Sequence, residues 1–428
     1  MTKQKMMSEK SATLFLSALC SFLYFTSYLS RYSLSVSISE IDRLDLLTKE
    51  NLGVATMLLF ISYGAGQVLS GVLGDKFKPQ YVVCIGLIGA ALSNAAIPFV
   101  ITSPVAVALI WFFHGLCQAM FWPPIVKILA TRLPGHCYGS SSLAVSIAAH
   151  VANVSNYLLA SLCIGTFGNW KILFYIALST CILALGVWLA GFNFFSSHYV
   201  CPVEADIAVK PESNGENKNN KRLIAAVTAS GALILVISII LQGALKEGVT
   251  AWLPSYINEV YGASTSDSIL KSVAIPIASI ICLYAVGFIY RRWLHNEAAG
   301  AAIMFGIGTL MSLIIVLIPS LPPMLMIICA AILTASMHGV NLFLIAYLPA
   351  RFAKYGKTST VSGVTNACAY IGCAVYNYGL AVIAQNIGWG ATAISWLIIS
   401  GTGLASALIA LPLWKRFISG RSKVDKTK

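Results

Sequence analysis

A chain of 428 residues that is 58% hydrophobic and only 10% charged, with a mean hydropathy of +0.80, lacks the polar surface of a water-soluble fold. Disordered and collagen-like classes fall as well, because apolar content is high and the glycines keep no period. Lys and Arg number 28 against 15 Asp and Glu, so the few charges present are strongly biased to one sign.

Apolar stretches of about twenty residues recur along the chain, each long enough to cross a bilayer at roughly 1.5 Å per residue. About twelve are expected. They start near Ser11, Leu52, Val82, Val105, Ser142, Ile172, Leu223, Ile269, Ala302, Pro323, Val361 and Ala391. The first, LFLSALCSFLYF, has the character of a signal-peptide core. It shows no small-residue cleavage site and runs on into Arg31, so it reads as a retained helix. The one water-soluble internal stretch is EADIAVKPESNGENKNNKR, residues 204–222, rich in Asn, Lys and Glu. The expected organisation is an all-α integral membrane protein: a six-helix bundle over 1–200, a linker over 201–222, and a second six-helix bundle over 223–428.

Most cations fall on one side of the alternating spans: Lys3, Lys5 and Lys10, Lys76 and Lys78, Lys127 and Arg132, the linker lysines, Arg291 and Arg292, Arg351, Lys354 and Lys357, and the tail. The other side carries only Arg43, Lys49, Lys171 and Lys271. The positive-inside rule then predicts a multi-pass protein of the cell membrane with both termini in the cytoplasm. Cations spread over alternate loops form no single patch, which argues against nucleic acid as a partner. The eleven cysteines contain no CxxC pair and lie mostly inside spans, so they read as small apolar filler; no metal and no cofactor is expected. A nucleotide-binding GxxxxGK[ST] is absent, which argues against ATP as the driving force.

The two halves echo each other. Arg31 corresponds to Lys246 and Gly71 to Gly287 at nearly constant offset, and His114-Gly115 resembles His338-Gly339. Such a repeat predicts duplication of a six-helix unit with a substrate site at the midplane between the halves. Arg31 and Lys246 are the basic residues expected deep in spans, with Glu247 as an acidic companion and Asp75 at a helix end. A charge at the bilayer centre costs roughly 2.5–3.5 kcal/mol on insertion scales, so each must face a wet cavity or a partner. The competing reading is a pair of Glu247 with Arg31 or Lys246 that only ties helices together; consecutive helix residues point about 100° apart, so Lys246 and Glu247 are not expected to face the same spot squarely. Tyr24, Tyr28 and Arg31 share one helix face, as do Ser146, His150, Asn153 and Tyr157; His114, Gln118 and Trp122; and nearly so Asn366, Tyr370 and Asn377. These stripes suit the lining of an aqueous cavity; interhelical hydrogen bonding is the competing reading. Two cations with one buried anion point to an anionic substrate, which a planar guanidinium grips as a fork and an ammonium as a point charge.

With these residues in view, the chain resembles the major facilitator superfamily, and within it the organophosphate:phosphate antiporter family. GVLGDKFKP, Gly71 to Pro79, resembles the superfamily's loop between the second and third helices, which makes Gly71 and Asp75 gating candidates. YFTSYLSR puts Tyr24, Tyr28 and Arg31 on the family's first-helix tyrosines and substrate arginine, and ISYGAGQ puts Tyr63 on its second-helix tyrosine. GLCQAMFWPP, carrying Gln118 and Trp122, resembles the fourth-helix pattern; AAHVANV puts His150 on the fifth-helix histidine; Tyr370 falls on an eleventh-helix tyrosine. LKEGVTAWLPSYINEV aligns Lys246 with the family's second substrate arginine. Departures accompany the match: Lys replaces that arginine, Tyr32 and Gln67 stand where phosphate-transporting members often carry lysines, Glu247 is added, and Arg291 occupies the place of an acid.

The resemblance implies a secondary transporter of a small organic anion, a phosphorylated metabolite exchanged for inorganic phosphate by alternating access. Arg31, Lys246, His150, Tyr24, Tyr28, Tyr63, Gln118, Trp122, Asn153 and Tyr370 are the implied or predicted binding residues, and Glu247 a coupling candidate. The weaker cation set keeps a proton-coupled carrier of a carboxylate as a rival. A non-transporting membrane sensor of the same fold is a second rival, and its expected long cytoplasmic partner surface is missing from the short loops. An enzyme is not expected. The expected partners are the lipid bilayer, the small anion, and phosphate or a proton; the expected state is a monomer.

Overall fold

The computed structural model describes residues 7–76, 78–199, 227–228, 230–318, 320–355 and 358–420. They form helices throughout: α1 (Glu9–Arg31), α2 (Ser33–Arg43), α3 (Lys49–Lys76), α4 (Pro79–Val100), α5 (Pro104–Gln118), α6 (Trp122–Arg132), α7 (Gly135–Gly165) and α8 (Lys171–His198). There follow α9 (Ala232–Tyr261), α10 (Thr265–Lys271), α11 (Ala274–Ile289), a π-helical turn Tyr290–Leu294, α12 (Glu297–Leu317) and α13 (Pro323–Asn341). A second π-helical turn Leu342–Tyr347 and a 3-10 segment Leu348–Tyr355 lead to α14 (Thr358–Asn386) and α15 (Trp389–Ile418).

Among the described residues, 11 helical segments are long and apolar enough to cross a membrane. The 28-residue α3 is a further long helix, so the expected twelve spans have counterparts. Some spans are built from two pieces, and the sequence says why. Ser103 caps α5 by accepting from Ala106 N, and Pro104 opens it where no intrahelical N–H is needed. Trp122-Pro123-Pro124 then ends the ladder after Gln118 and restarts it as α6, because two adjacent prolines supply no N–H. At Tyr32 the backbone leaves helical angles for one residue, although its N–H still reaches Tyr28 O at 3.2 Å. The seventh span is described from Ala232 onward; Leu223 and the predicted linker 201–222 lie outside the described residues.

The described residues group into two compact units, the first running to Tyr199 with Thr265–Leu270 added, the second holding the remainder. Each unit pairs its helices by one scheme. In the first, α1 packs on α7, α3 on α5, α4 on α8, α1 on α8, and α4 on α5. In the second, α9 packs on α14, α11 on α13, α12 on α15, α9 on α15, and α12 on α13. Numbered by span within each half, these are the same five pairings, which is what duplication of a six-helix unit produces.

Lipid tails are as apolar as leucine, so helices are drawn together by close packing and polar contacts rather than by exclusion from water. Gly115 on α5 lets α3 approach so closely that a Cβ there would strike the Leu59 carbonyl and Ser62 Oγ. Gly372 on α14 plays the same part against the Ile240 carbonyl of α9. Large apolar residues such as Leu14, Phe99, Ile281 and Ile398 are left on the outer surface, as a lipid-facing wall requires.

Candidate functional site

Arg31 ends α1 and is 3% exposed. Its guanidinium carbon lies 4.3 Å from the ring centre of Tyr63, 5.3 Å from Phe60, 5.7 Å from Tyr28 and 5.8 Å from Tyr32. Two elements build this cage: the α1–α2 joint presents Tyr28 and Tyr32, and α3 presents Phe60 and Tyr63. A desolvated cation–π contact contributes up to about 2 kcal/mol, so the rings compensate part of the cost of holding the charge out of water. The aromatic wall continues along α1, with Tyr24 5.0 Å from Tyr28 and 5.2 Å from Trp122. The predicted face of Tyr24, Tyr28 and Arg31 is therefore real, and Tyr63 and Trp122 join it from other helices.

Behind the cage runs a polar seam. Ser27 Oγ donates to Gln118 Oε1 at 2.8 Å, and Gln118 Nε2 donates to Ser30 Oγ at 2.8 Å. The same amide nitrogen lies 3.1 Å from His114 Nε2. An amide N–H donates only, so His114 Nε2 accepts and the neutral ring carries its proton on Nδ1. Ser33 Oγ donates to Asn94 Oδ1 at 2.7 Å, while Asn94 Nδ2 donates to the Ser30 and Ala90 carbonyls at 3.3 and 2.9 Å. Gln118, 1% exposed, is thus occupied in tying α5 to α1. Sequence reasoning found Gln118 and His114 but missed Ser27, Ser30, Ser33 and Asn94. The signal was a serine at every third position of SYLSRYS, which places them along one side of the joint.

On α7, His150 is 9% exposed and Tyr157 3%, so their shared stripe faces inward. Asn156 Nδ2 donates to the Tyr28 carbonyl at 3.1 Å, fixing α7 beside the α1 joint. Asn153, half-buried, keeps its Oδ1 buried without a hydrogen-bond partner among the described residues.

In the second unit, Lys246 Nζ lies 3.2 Å from Glu247 Oε1, with side-chain exposures of 13% and 8%. This is the pair weighed as the competing reading: four methylenes on one side and two on the other let the heads fold back together although the Cα–Cβ bonds splay. One turn earlier on α9, Gln242 is fully buried, and neither end of its amide has a hydrogen-bond partner among the described residues. It was missed, although its spacing of four from Lys246 puts it on the same face. Tyr370 on α14 is half-buried. The side chains of Gly71 and Asp75 lie outside the described residues.

Glu247 is not the sole buried acid. Glu297, fully buried at the start of α12, accepts from Arg351 Nε at 2.6 Å, Tyr290 Oη at 2.5 Å and Trp414 Nε1 at 3.0 Å. Arg351 also donates to the Tyr290 hydroxyl at 3.2 Å and the His295 carbonyl at 3.1 Å. The guanidinium loses some hydration there, but the hydrogen bond and charge of Glu297 outweigh that loss and raise its pKa above the usual value. Glu40 on α2 is 2% exposed and holds Arg43 through two bonds of 2.8 and 2.6 Å. All of the described cysteines are free thiols.

Residues 20–377 match the model of the Major Facilitator Superfamily. The Glycerol-3-phosphate transporter of Bacillus subtilis is 23% identical over 376 residues, covering 85% of this chain and 84% of that protein. A "Probable hexose phosphate transport protein" of Chlamydia trachomatis is 24% identical over 419 residues, covering 92% and 88%. The crystal structure of a D-xylose-proton symporter superposes with a TM-score of 0.72 at 14% identity, over 94% of this chain and 97% of that one.

Proposed function

The chain belongs to the major facilitator superfamily, and from that premise we propose that it carries a small phosphorylated organic anion across the membrane in exchange for inorganic phosphate. It is a multi-pass membrane transport protein; the substrate, the exchange and the roles of individual residues are the proposed part. The carrying observation is Arg31, a guanidinium 3% exposed at a helix joint and ringed by Tyr28, Tyr32, Phe60 and Tyr63. A planar guanidinium matches the two oxygens of a phosphate, and the surrounding rings restrict where it can lie. The names of the glycerol-phosphate and hexose-phosphate relatives support a phosphorylated cargo.

In this reading Arg31 is the principal anion ligand and Lys246 the second cation. Tyr24, Tyr28, Tyr63, Trp122, His150, Asn153 and Tyr370 supply hydroxyls, hydrogen bonds and walls, while Gln118 positions α1 through Ser27 and Ser30. Binding offsets the buried charge and shifts the population between states open to either side of the membrane, since an anion stabilises whichever state it contacts better. The distribution of cations supports both termini in the cytoplasm. Gly71 and Asp75 keep their proposed gating role.

The ion pair of Lys246 with Glu247 favours one second reading. A neutral pair adds no net positive charge, which suits a monoanion, and a proton taken up by Glu247 would release Lys246. Reconstitution into phosphate-loaded vesicles separates the readings. Exchange predicts that external glycerol or hexose phosphate stimulates efflux of labelled phosphate with no imposed proton gradient. Flux that appears only with a proton gradient favours coupling through Glu247. Specific ligand binding with no flux under any gradient favours a sensor and ends the transport reading.

A further inference from the structure

We propose that Glu9, His136 and Cys137 form a binding site for a divalent transition-metal ion, of which zinc is the type. The three side chains come from two helices that start side by side: Glu9 is the first residue of α1, and His136 and Cys137 follow the first residue of α7. One donor atom from each lies within 4.8 Å of the others. An ion with bonds of about 2.0–2.3 Å holds its donors closer together than this, so the three side chains turn inward by a small rotation to share one ion.

The site is already organised. His136 Nε2 sits 3.0 Å from Glu9 Oε1, so two of the donors converge without an ion. Ser8 caps α1 by accepting from Ser11 N, which fixes the helical turn bearing Glu9. Two turns below, Ser17 Oγ donates to Ser141 Oγ at 2.7 Å and pins α1 to α7. The donors open onto a cavity of about 480 Å³ that Thr13 also lines, and Thr13 Oγ1 is buried with no hydrogen-bond partner among the described residues. Three protein ligands leave a fourth position for water, which a hydroxyl of that kind can hold.

The donor chemistry agrees with a borderline-soft cation, although Lys10 also lines the cavity. A carboxylate, a thiolate and a neutral imidazole bring two negative charges to a divalent ion, and the set avoids the all-oxygen shell of calcium or magnesium. Cys137 ligates as the thiolate and His136 through an unprotonated ring nitrogen, so binding is coupled to proton loss from the donors. Sequence patterns could not reveal this site, because Glu9 stands more than a hundred residues from His136 and Cys137 and only the packing of α1 on α7 joins them. Exposure of Glu9 and His136 leaves the entry path open.

Cobalt(II) is the probe, added to the metal-stripped full-length chain in detergent. One equivalent is expected to give the intense charge-transfer absorption of a thiolate–cobalt bond, and zinc is expected to bleach it. Cys137→Ser abolishes the band, and Glu9→Gln or His136→Ala weakens cobalt binding by about tenfold or more. No band at saturating cobalt, or a band that persists in Cys137→Ser, overturns the proposal. A measurement on the unaltered chain avoids any folding defect of the variants: zinc must protect Cys137 from maleimide, read on its own peptide, and undiminished labelling also overturns the proposal. Neither readout depends on transport.

Discussion

Lys246 and Glu247 are sequence neighbours whose charged heads meet at 3.2 Å inside α9. Any anion that takes Lys246 as a ligand competes with Glu247 for it. Glu247→Gln therefore leaves the ammonium more available. Under the exchange reading, the apparent affinity for phosphate should tighten by about tenfold, or roughly 1.4 kcal/mol, measured by displacement of labelled phosphate. Under proton coupling, gradient-driven uptake should instead collapse in the same variant.

The cage around Arg31 gives a second prediction. Tyr63→Phe keeps the ring 4.3 Å from the guanidinium, so anion affinity should change less than about threefold. Tyr63→Leu removes the π face and should weaken binding by about tenfold or more. Arg31→Lys loses the fork but keeps the charge, and an unaltered affinity in that variant would exclude a bidentate role for Arg31. Equilibrium binding of labelled phosphate on purified protein measures all three.

Gln118 and Gln242 should respond in opposite directions. Gln118→Ala strands Ser27 Oγ and His114 Nε2 in a buried seam and should lower stability by about 2–3 kcal/mol, read as a fall in the thermal midpoint in detergent. Gln242 has nothing to lose in this state, so Gln242→Leu should raise stability by about 1–3 kcal/mol. If Gln242 faces the substrate, the same change should weaken ligand binding, and a variant more stable but equally active would exclude that role.

Glu297 and Arg351 invite a double-mutant cycle. Arg351→Met takes one donor from a fully buried carboxylate and should cost about 2–4 kcal/mol. Adding Glu297→Leu should recover most of that loss, because the stranded charge is then gone. Additive losses in the thermal midpoint would show that the pair is not coupled.

The sequence made the spans legible because bilayer thickness dictates their length, and the repeat legible because Arg31 and Lys246 stand out in apolar surroundings. The face of Tyr24, Tyr28 and Arg31 followed from helical period alone. What stayed hidden depended on partners far along the chain. Glu297 reads as a loop charge beside Arg291 and Arg292, and becomes a buried acid only when Arg351 and Trp414 arrive. Asn94 gains its purpose from Ser30 and Ser33, more than sixty residues earlier. The pairing of Lys246 with Glu247 rather than Arg31 with Glu247 was not legible, because Cβ directions are a poor guide to head-group positions for side chains this long.

Glu297 also imposes an order of events. It opens α12, but Arg351 comes 54 residues later and Trp414 117 residues later. The donor set of this carboxylate is therefore complete only when the last helix is in place. A chain stopped short of Trp414 leaves a fully buried acid one donor short, so this end of the second unit depends on the final helix for its polar closure.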